Sequence, residues 1–241
     1  MPLTDTQKAR IKKTFANFLD KRAKNLEKLT LDDLKFNVVA LRTTAPMLDF
    51  GSAEDLLRYR LAQHLERGTT TAMGSALQAI AKEISGSGSG VAGADIEVID
   101  SNGRRNFVQI KSGPDTANKD IAQNIGTLLN SARARDPSAI CVLGVCYGRP
   151  DQISPIAKKE LQNRGVGMKI GRDFWEFISG DPKCLAEVME IAAEAAEGSA
   201  GGDLTFAERV EKKLDDLVSE FESRYGKKLE KAWDNFLADN S

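Results

Sequence analysis

The chain has 241 residues, 41% of them hydrophobic and 29% charged, with 34 basic against 35 acidic side chains. This is the composition of a folded globular protein large enough to bury a core without staples, and its balance excludes nucleic-acid binding through a global basic excess; any such binding needs a local patch. The longest apolar run, residues 139–147, falls far short of the ~20 residues of a membrane helix, and the opening MPLTDTQKAR has no apolar signal segment, so no membrane partner and a cytoplasmic location are expected.

Taken in chain order, residues 1–68 read as a helical N-terminal region. Ile11, Phe15, Phe18 and Leu19 make one apolar stripe, Leu34 to Leu41 another, and Ser52 offers an N-cap for a third helix. The only histidine, His64, lies beside the Leu57, Leu61 and Leu65 stripe and reads as a surface or satisfied residue. A single imidazole also excludes sites that need several. Residues 69–180 change character: a helix near 73–85, a Gly/Ser stretch at 85–90, a hairpin, a helix near 118–134, a strong strand at 139–147 and a short strand in VGMKIG before Trp175. Cys141, Cys146 and Cys184 lack CxxC spacing and read as buried reduced thiols. Residues 181–241 are helical again, interrupted by small residues at 197–203. Leu204, Val210, Leu214, Leu217, Phe221, Tyr225, Leu229, Trp233 and Phe236 there form one long apolar stripe. Two readings of it stand, packing onto the chain's own core and a dimer contact.

The hairpin, ADIEVIDSNGRRNFVQIK at 94–111, carries the chemistry. Asn102-Gly103 marks its turn, since glycine supplies the positive φ that such turns require. If Ile96 and Val98 share a face with Val108 and Ile110, then Asp95, Glu97, Gln109 and Lys111 share the other. A three-residue loop, Ser101 to Gly103, places Asp95 opposite Gln109 with Lys111 as a diagonal neighbour. A carboxylate, an amide oxygen and a lysine at this spacing suit metal-assisted phosphodiester hydrolysis. Mg²⁺ takes hard oxygen ligands and keeps several waters, so Asp95, Gln109 and the Ile110 carbonyl can hold it. The Lys111 ammonium can orient the attacking water and stabilise the charge that develops on phosphate.

Asp95 followed, after thirteen residues, by Gln109-Ile110-Lys111 resembles the PD-(D/E)xK nuclease superfamily in a QxK form, above all its type II restriction endonucleases, and within them the group that cuts palindromes with a GG-N-CC core. Ala94 stands where the motif has proline, and Gln109 where it usually has a second acid. The resemblance spans about residues 73–180. It implies an α/β fold, a restriction-endonuclease-like mixed sheet flanked by helices, with helical N- and C-terminal extensions. It further implies catalytic roles for Asp95, Gln109 and Lys111, and for Glu83 as an acid on the helix ahead of the sheet that serves as an outer or second-metal ligand. The family's core has a strand ahead of the Asp-bearing one, for which SGSGSGVAG is a poor candidate.

The expected function is Mg²⁺-dependent, site-specific cleavage of double-stranded DNA by a two-fold homodimer, in a host that carries a companion DNA methyltransferase. Arg104 and Arg105 at the hairpin tip, with Lys119, Arg149, Lys158 and Arg172 on loops near the site, are the candidate DNA contacts. The alternatives are a repair or Mrr-like nuclease without a short specific site, and a DNA-binding protein whose Gln109 has cost it catalysis. The sequence has no GxGxxG after a strand, P-loop or nucleophile elbow, which argues against other α/β enzymes.

Overall fold

The computed structural model describes residues 2–87, 91–100, 102–114, 118–199 and 204–240. Residues 88–90 of the Gly/Ser stretch, Ser101 of the turn, and 115–117 and 200–203 of two connections lie outside them. The chain divides into two compact units, Met1–Phe18 with Ala72–Glu197, and Leu19–Thr71 with Gly198–Ser241. Two helices, α1 (Asp5–Lys28) and α3 (Ala53–Ser85), supply residues to both.

The first unit is built on a four-stranded mixed sheet in the order β1 (Ile96–Ile99), β2 (Arg105–Lys111), β3 (Ile140–Val145), β4 (Val166–Ile170). β1 is antiparallel to β2, while β2, β3 and β4 are mutually parallel. Parallel neighbours need crossovers. Helix α4 (Lys119–Arg133) follows β2 and α5 (Pro155–Asn163) follows β3; each begins at the end where its strand finishes. Asn118 caps α4 by accepting the Ile121 N–H at 2.9 Å.

Strand alternation divides this core into two layers. Ile96, Val98, Val108, Ile110 and Val142 bury against α1, α3, α6 (Arg172–Ser179) and α7 (Cys184–Ser199). Phe107, Cys141, Leu143 and Val145 bury against Ala122, Ile125, Leu129 of α4 and Ala157, Leu161 of α5. Glycine at 144 lets Phe174 lie directly on β3, where a Cβ would overlap its ring. Fully buried, Trp175 still donates its Nε1–H to the Cys146 carbonyl at 2.7 Å. Burying an aromatic of this kind contributes about 1.5–3 kcal/mol. All three cysteines are free and buried, and burial pushes the Cys146 thiol up to about 12.

The second unit is helical: residues from α1 and α3, a 3-10 turn at Leu31–Asp33, α2 (Val38–Thr44), α8 (Phe206–Tyr225) and α9 (Leu229–Asp239). Its core joins Leu26, Leu56, Leu57 and Leu61 to Leu214, Leu217, Phe221, Trp233 and Phe236. The C-terminal stripe is therefore spent largely on the chain's own core. Leu204 alone of its nine residues is exposed, at 38%.

One expected break does not occur. Ser52 caps α3, accepting the Asp55 N–H at 3.2 Å while the Asp55 carboxylate accepts the Ser52 N–H at 3.0 Å, but the helix then runs unbroken through 68–72. The threonines of GTTT are held helically: Thr70 Oγ1 donates to Glu66 and Thr71 Oγ1 to the Arg67 carbonyl, at 2.9 and 3.0 Å. Gly68 is there for space, since a Cβ would stand 2.5 Å from Nη1 of buried Arg22.

Candidate active site

The register of the hairpin decides which side chains meet. Ile96 pairs with Val108 and Ile99 with Arg105, a register that sets Asp95 opposite Gln109. Gly103 takes φ +75° and donates to the Asp100 carbonyl, so glycine at the turn is a conformational need. At Asp95 the regular ladder stops. Its N–H donates to the Val108 carbonyl at 2.8 Å, and its carboxylate accepts the Ile110 N–H at 2.7 Å in the place a strand carbonyl would occupy. The Ile110 carbonyl is taken as well: Gln78 of α3 donates to it at 3.1 Å. Both backbone polar groups of Ile110 are thus held by side chains.

Gln109 lies half-buried on the same face as Asp95, and its amide nitrogen donates to the Gly93 carbonyl at 3.2 Å, which turns its oxygen the other way. Gly93, at φ +98°, passes so close to the Leu128 carbonyl of α4 that no side chain fits. Lys111, two residues on, shares the Gln109 face and forms no ion pair among the described residues. The ladder to β3 continues past it, Cys146 N–H to Lys111 carbonyl at 2.9 Å and Tyr147 N–H to Ser112 carbonyl at 3.1 Å. The sheet therefore keeps Lys111 in place while the hairpin side opens.

Asp95, Gln109, Ile110 and Lys111 are brought together. Glu83 and Glu97 are engaged by arginines: Arg10 of α1 pairs with Glu83 at 3.0 Å, and Arg105 pairs with Glu97 at 2.8 Å and with Asp136 at 3.4 Å. Helix geometry explains the first. Glu83 is five residues beyond Gln78, roughly 140° around the helix, so a helix that presents Gln78 to Ile110 turns Glu83 away. Gln78 is the contact that sequence reasoning missed. Its signal was a polar residue at the margin of the Leu77, Ile80, Ala81, Ile84 stripe. One turn earlier, a Cβ on Gly74 would lie 3.5 Å from the Ser112 hydroxyl, so residues 74 and 78 follow the chain from 112 to 110.

Among the candidate DNA contacts, Lys119, Arg149, Lys158 and Arg172 lie at or just beyond the strand ends that carry Lys111. Arg149 is paired with Asp151 at 3.1 Å, yet both remain largely exposed. Arg104 and Arg105 sit at the opposite end of β2, roughly 20 Å away along the strand. They are engaged there, Arg104 with Asp100 at 3.3 Å and Arg105 with Glu97 and Asp136.

The donor set is one carboxylate and two neutral oxygens, with no group of three or more His, Cys, Asp or Glu among the described residues able to hold a metal. It fits a hard divalent cation that keeps several waters and takes its remaining ligands from a phosphate substrate; it does not fit zinc.

No curated protein sequence matches the chain. A family model, Type II restriction endonuclease EcoO109I, matches residues 5–199, well over half of it and including every residue of the site. Such enzymes are endonucleases that hydrolyse DNA, generally with divalent metal ions. The residues that gather at the open end of this hairpin thus lie inside a matched nuclease region, and the chain belongs to the family of the type II restriction endonuclease EcoO109I.

Proposed function

We propose that the protein is a Mg²⁺-dependent deoxyribonuclease that cuts both strands of DNA at a short palindrome with a GG-N-CC core. The observation that carries this is the Asp95 carboxylate locked onto the Ile110 N–H beside Gln109, with Lys111 next on the same face. Asp95, the Gln109 amide oxygen and the Ile110 carbonyl would hold the ion. When bound, it would polarise the scissile phosphate and acidify a water. Asp95 is fixed by a backbone donor, so its second oxygen is presented without a search over rotamers. Gln78 orients the Ile110 carbonyl. The Lys111 ammonium holds the attacking water in line and offsets the negative charge that grows on the phosphate oxygens as the new P–O bond forms and the old one breaks. Lys119, Arg149, Lys158 and Arg172 offer phosphate contacts at the same end of the sheet.

A palindrome presents two identical half-sites, and a two-fold homodimer with one site per subunit answers it. A host that contains such an enzyme needs a methyltransferase to mask its own sites, and both act in the cytoplasm; no helix among the described residues is long and apolar enough to cross a membrane. One observation favours a second reading, a DNA-binding protein without catalysis. With Glu83 and Glu97 paired to arginines, Asp95 is the one carboxylate gathered at the site among the described residues. Incubation with Mg²⁺ and unmethylated phage DNA tests both. Discrete fragments support the restriction enzyme, a smear supports a nuclease without a short site, and intact DNA with retained binding supports the inactive protein.

A further inference from the structure

Arg58 pairs with Glu54 and Glu211, Arg209 with Glu27, and Arg224 with Asp32 and Glu220. Lys35, Arg60 and Arg67 pair with no carboxylate among the described residues, and all three line one groove of about 450 Å³ between the 35–37 segment with α2 and the 59–67 stretch of α3. No acidic side chain lines that groove; its other polar groups are Asn37, Thr44, Tyr59 and Gln63. Asp33, a carboxylate that acts on neighbouring His64, caps its own turn by accepting the Thr30 N–H at 2.9 Å.

Arg60 is the built element. Its Nε–H donates to the Lys35 carbonyl at 2.9 Å and its Nη1 to Gln63 Oε1 at 3.1 Å, so neutral acceptors fix the guanidinium without cancelling its charge. Burial and the neighbouring Arg67 both press its pKa down, as expected where like charges are held together without a counter-ion. Three cations that converge on one groove without an acid in its lining make a local positive field that favours an anion.

Resting on the nuclease reading above, we infer that this groove binds the phosphodiester backbone of the enzyme's DNA through Lys35, Arg60 and Arg67, a contact separate from the catalytic sheet. A fixed guanidinium flanked by two exposed cations suits successive phosphates, and the contact adds affinity through charge.

The test is equilibrium binding of the full chain to duplex DNA in EDTA, by fluorescence anisotropy across a KCl series, for wild type, Arg67→Glu and the triple variant Lys35→Gln, Arg60→Gln, Arg67→Gln. Each lost phosphate contact should flatten the log K against log salt slope by about 0.9 and weaken binding about eightfold at 0.1 M salt. Arg67 is exposed, so its reversal reads the charge without disturbing the fold, and circular dichroism checks the triple variant. A triple variant and Arg67→Glu that match the slope and affinity of a DNA-binding wild type overturn the groove alone. A wild type that neither binds nor cuts DNA overturns the nuclease reading as well. Thermal stabilisation of wild type by millimolar inorganic phosphate, with DNA affinity unchanged in the variants, identifies a free-anion site and also overturns the assignment.

Discussion

Replacing Asp95 separates the scaffold from the chemistry. Its carboxylate accepts the Ile110 N–H at 2.7 Å in a half-buried setting, and a charge-assisted hydrogen bond of this kind is worth roughly 1.5–3 kcal/mol. Asp95→Ala leaves that N–H without its partner and should cost about 2 kcal/mol. Asp95→Asn keeps an oxygen of the same shape on the N–H while removing the charge, and should cost less than about 1 kcal/mol. With m of roughly 2 kcal/mol per M in urea, the alanine variant should unfold about 1 M earlier and the asparagine variant close to wild type. Trp175 sits fully buried in the sheet unit and Trp233 lies in the helical one, so a Trp233→Phe background makes fluorescence report on the sheet unit alone. Both variants should lose about a hundredfold or more in cleavage rate, because neither offers a charged ligand to the cation. An asparagine variant that cleaves like wild type removes Asp95 from the chemistry. An alanine variant as stable as wild type shows that the bond to Ile110 is not what ends the ladder.

Gln109→Glu adds a charge where an amide oxygen stood and should lower the Mg²⁺ concentration for half-maximal cleavage, while Gln109→Ala should raise it. An alanine variant with midpoint and plateau unchanged places Gln109 outside the metal site. Gln78→Leu strips the Ile110 carbonyl of its donor and should cost about 1–3 kcal/mol in the sheet unit and raise the same midpoint; a wild-type Mg²⁺ titration would show that the carbonyl needs no positioning. His64 has its pKa lowered by burial first and then by Arg60 and Arg22. The stability it contributes is therefore present above its ordinary value of about 6.5 and lost as pH falls below that. Wild type should lose more melting temperature than His64→Gln between about pH 7 and about pH 5.5, and parallel losses would contradict the sign.

Elements held by local pattern are legible in the sequence. Asn102-Gly103 with two alternating strands sets the Ile96 to Val108 register, and the apolar run gives β3. What escaped was long-range. Arg10, which claims Glu83, comes from another helix, while Arg105, which claims Glu97, lies on the next strand of the hairpin, and no periodicity announces either ion pair. Gln78 meets Ile110 only because α3 crosses the sheet at one height and rotation. The continuity of α3 escaped because GTTT has poor intrinsic helix propensity, and the reason to tolerate it, room for Arg22, comes from another helix. The C-terminal stripe left two partners open, and its burial among Leu26, Leu56 and Leu61 shows which surface claims most of it.

The Ile110 amide ends where β1 no longer reaches, at a position that would exchange its proton freely at an ordinary frayed strand edge. Here a carboxylate holds that proton. Its exchange with solvent deuterium is therefore gated by how often Asp95 leaves it, and one backbone signal becomes a clock for the assembly of the site. Read on the intact protein without turnover, it would distinguish a variant that cleaves poorly because the site is seldom formed from one in which the site is formed and the chemistry is missing.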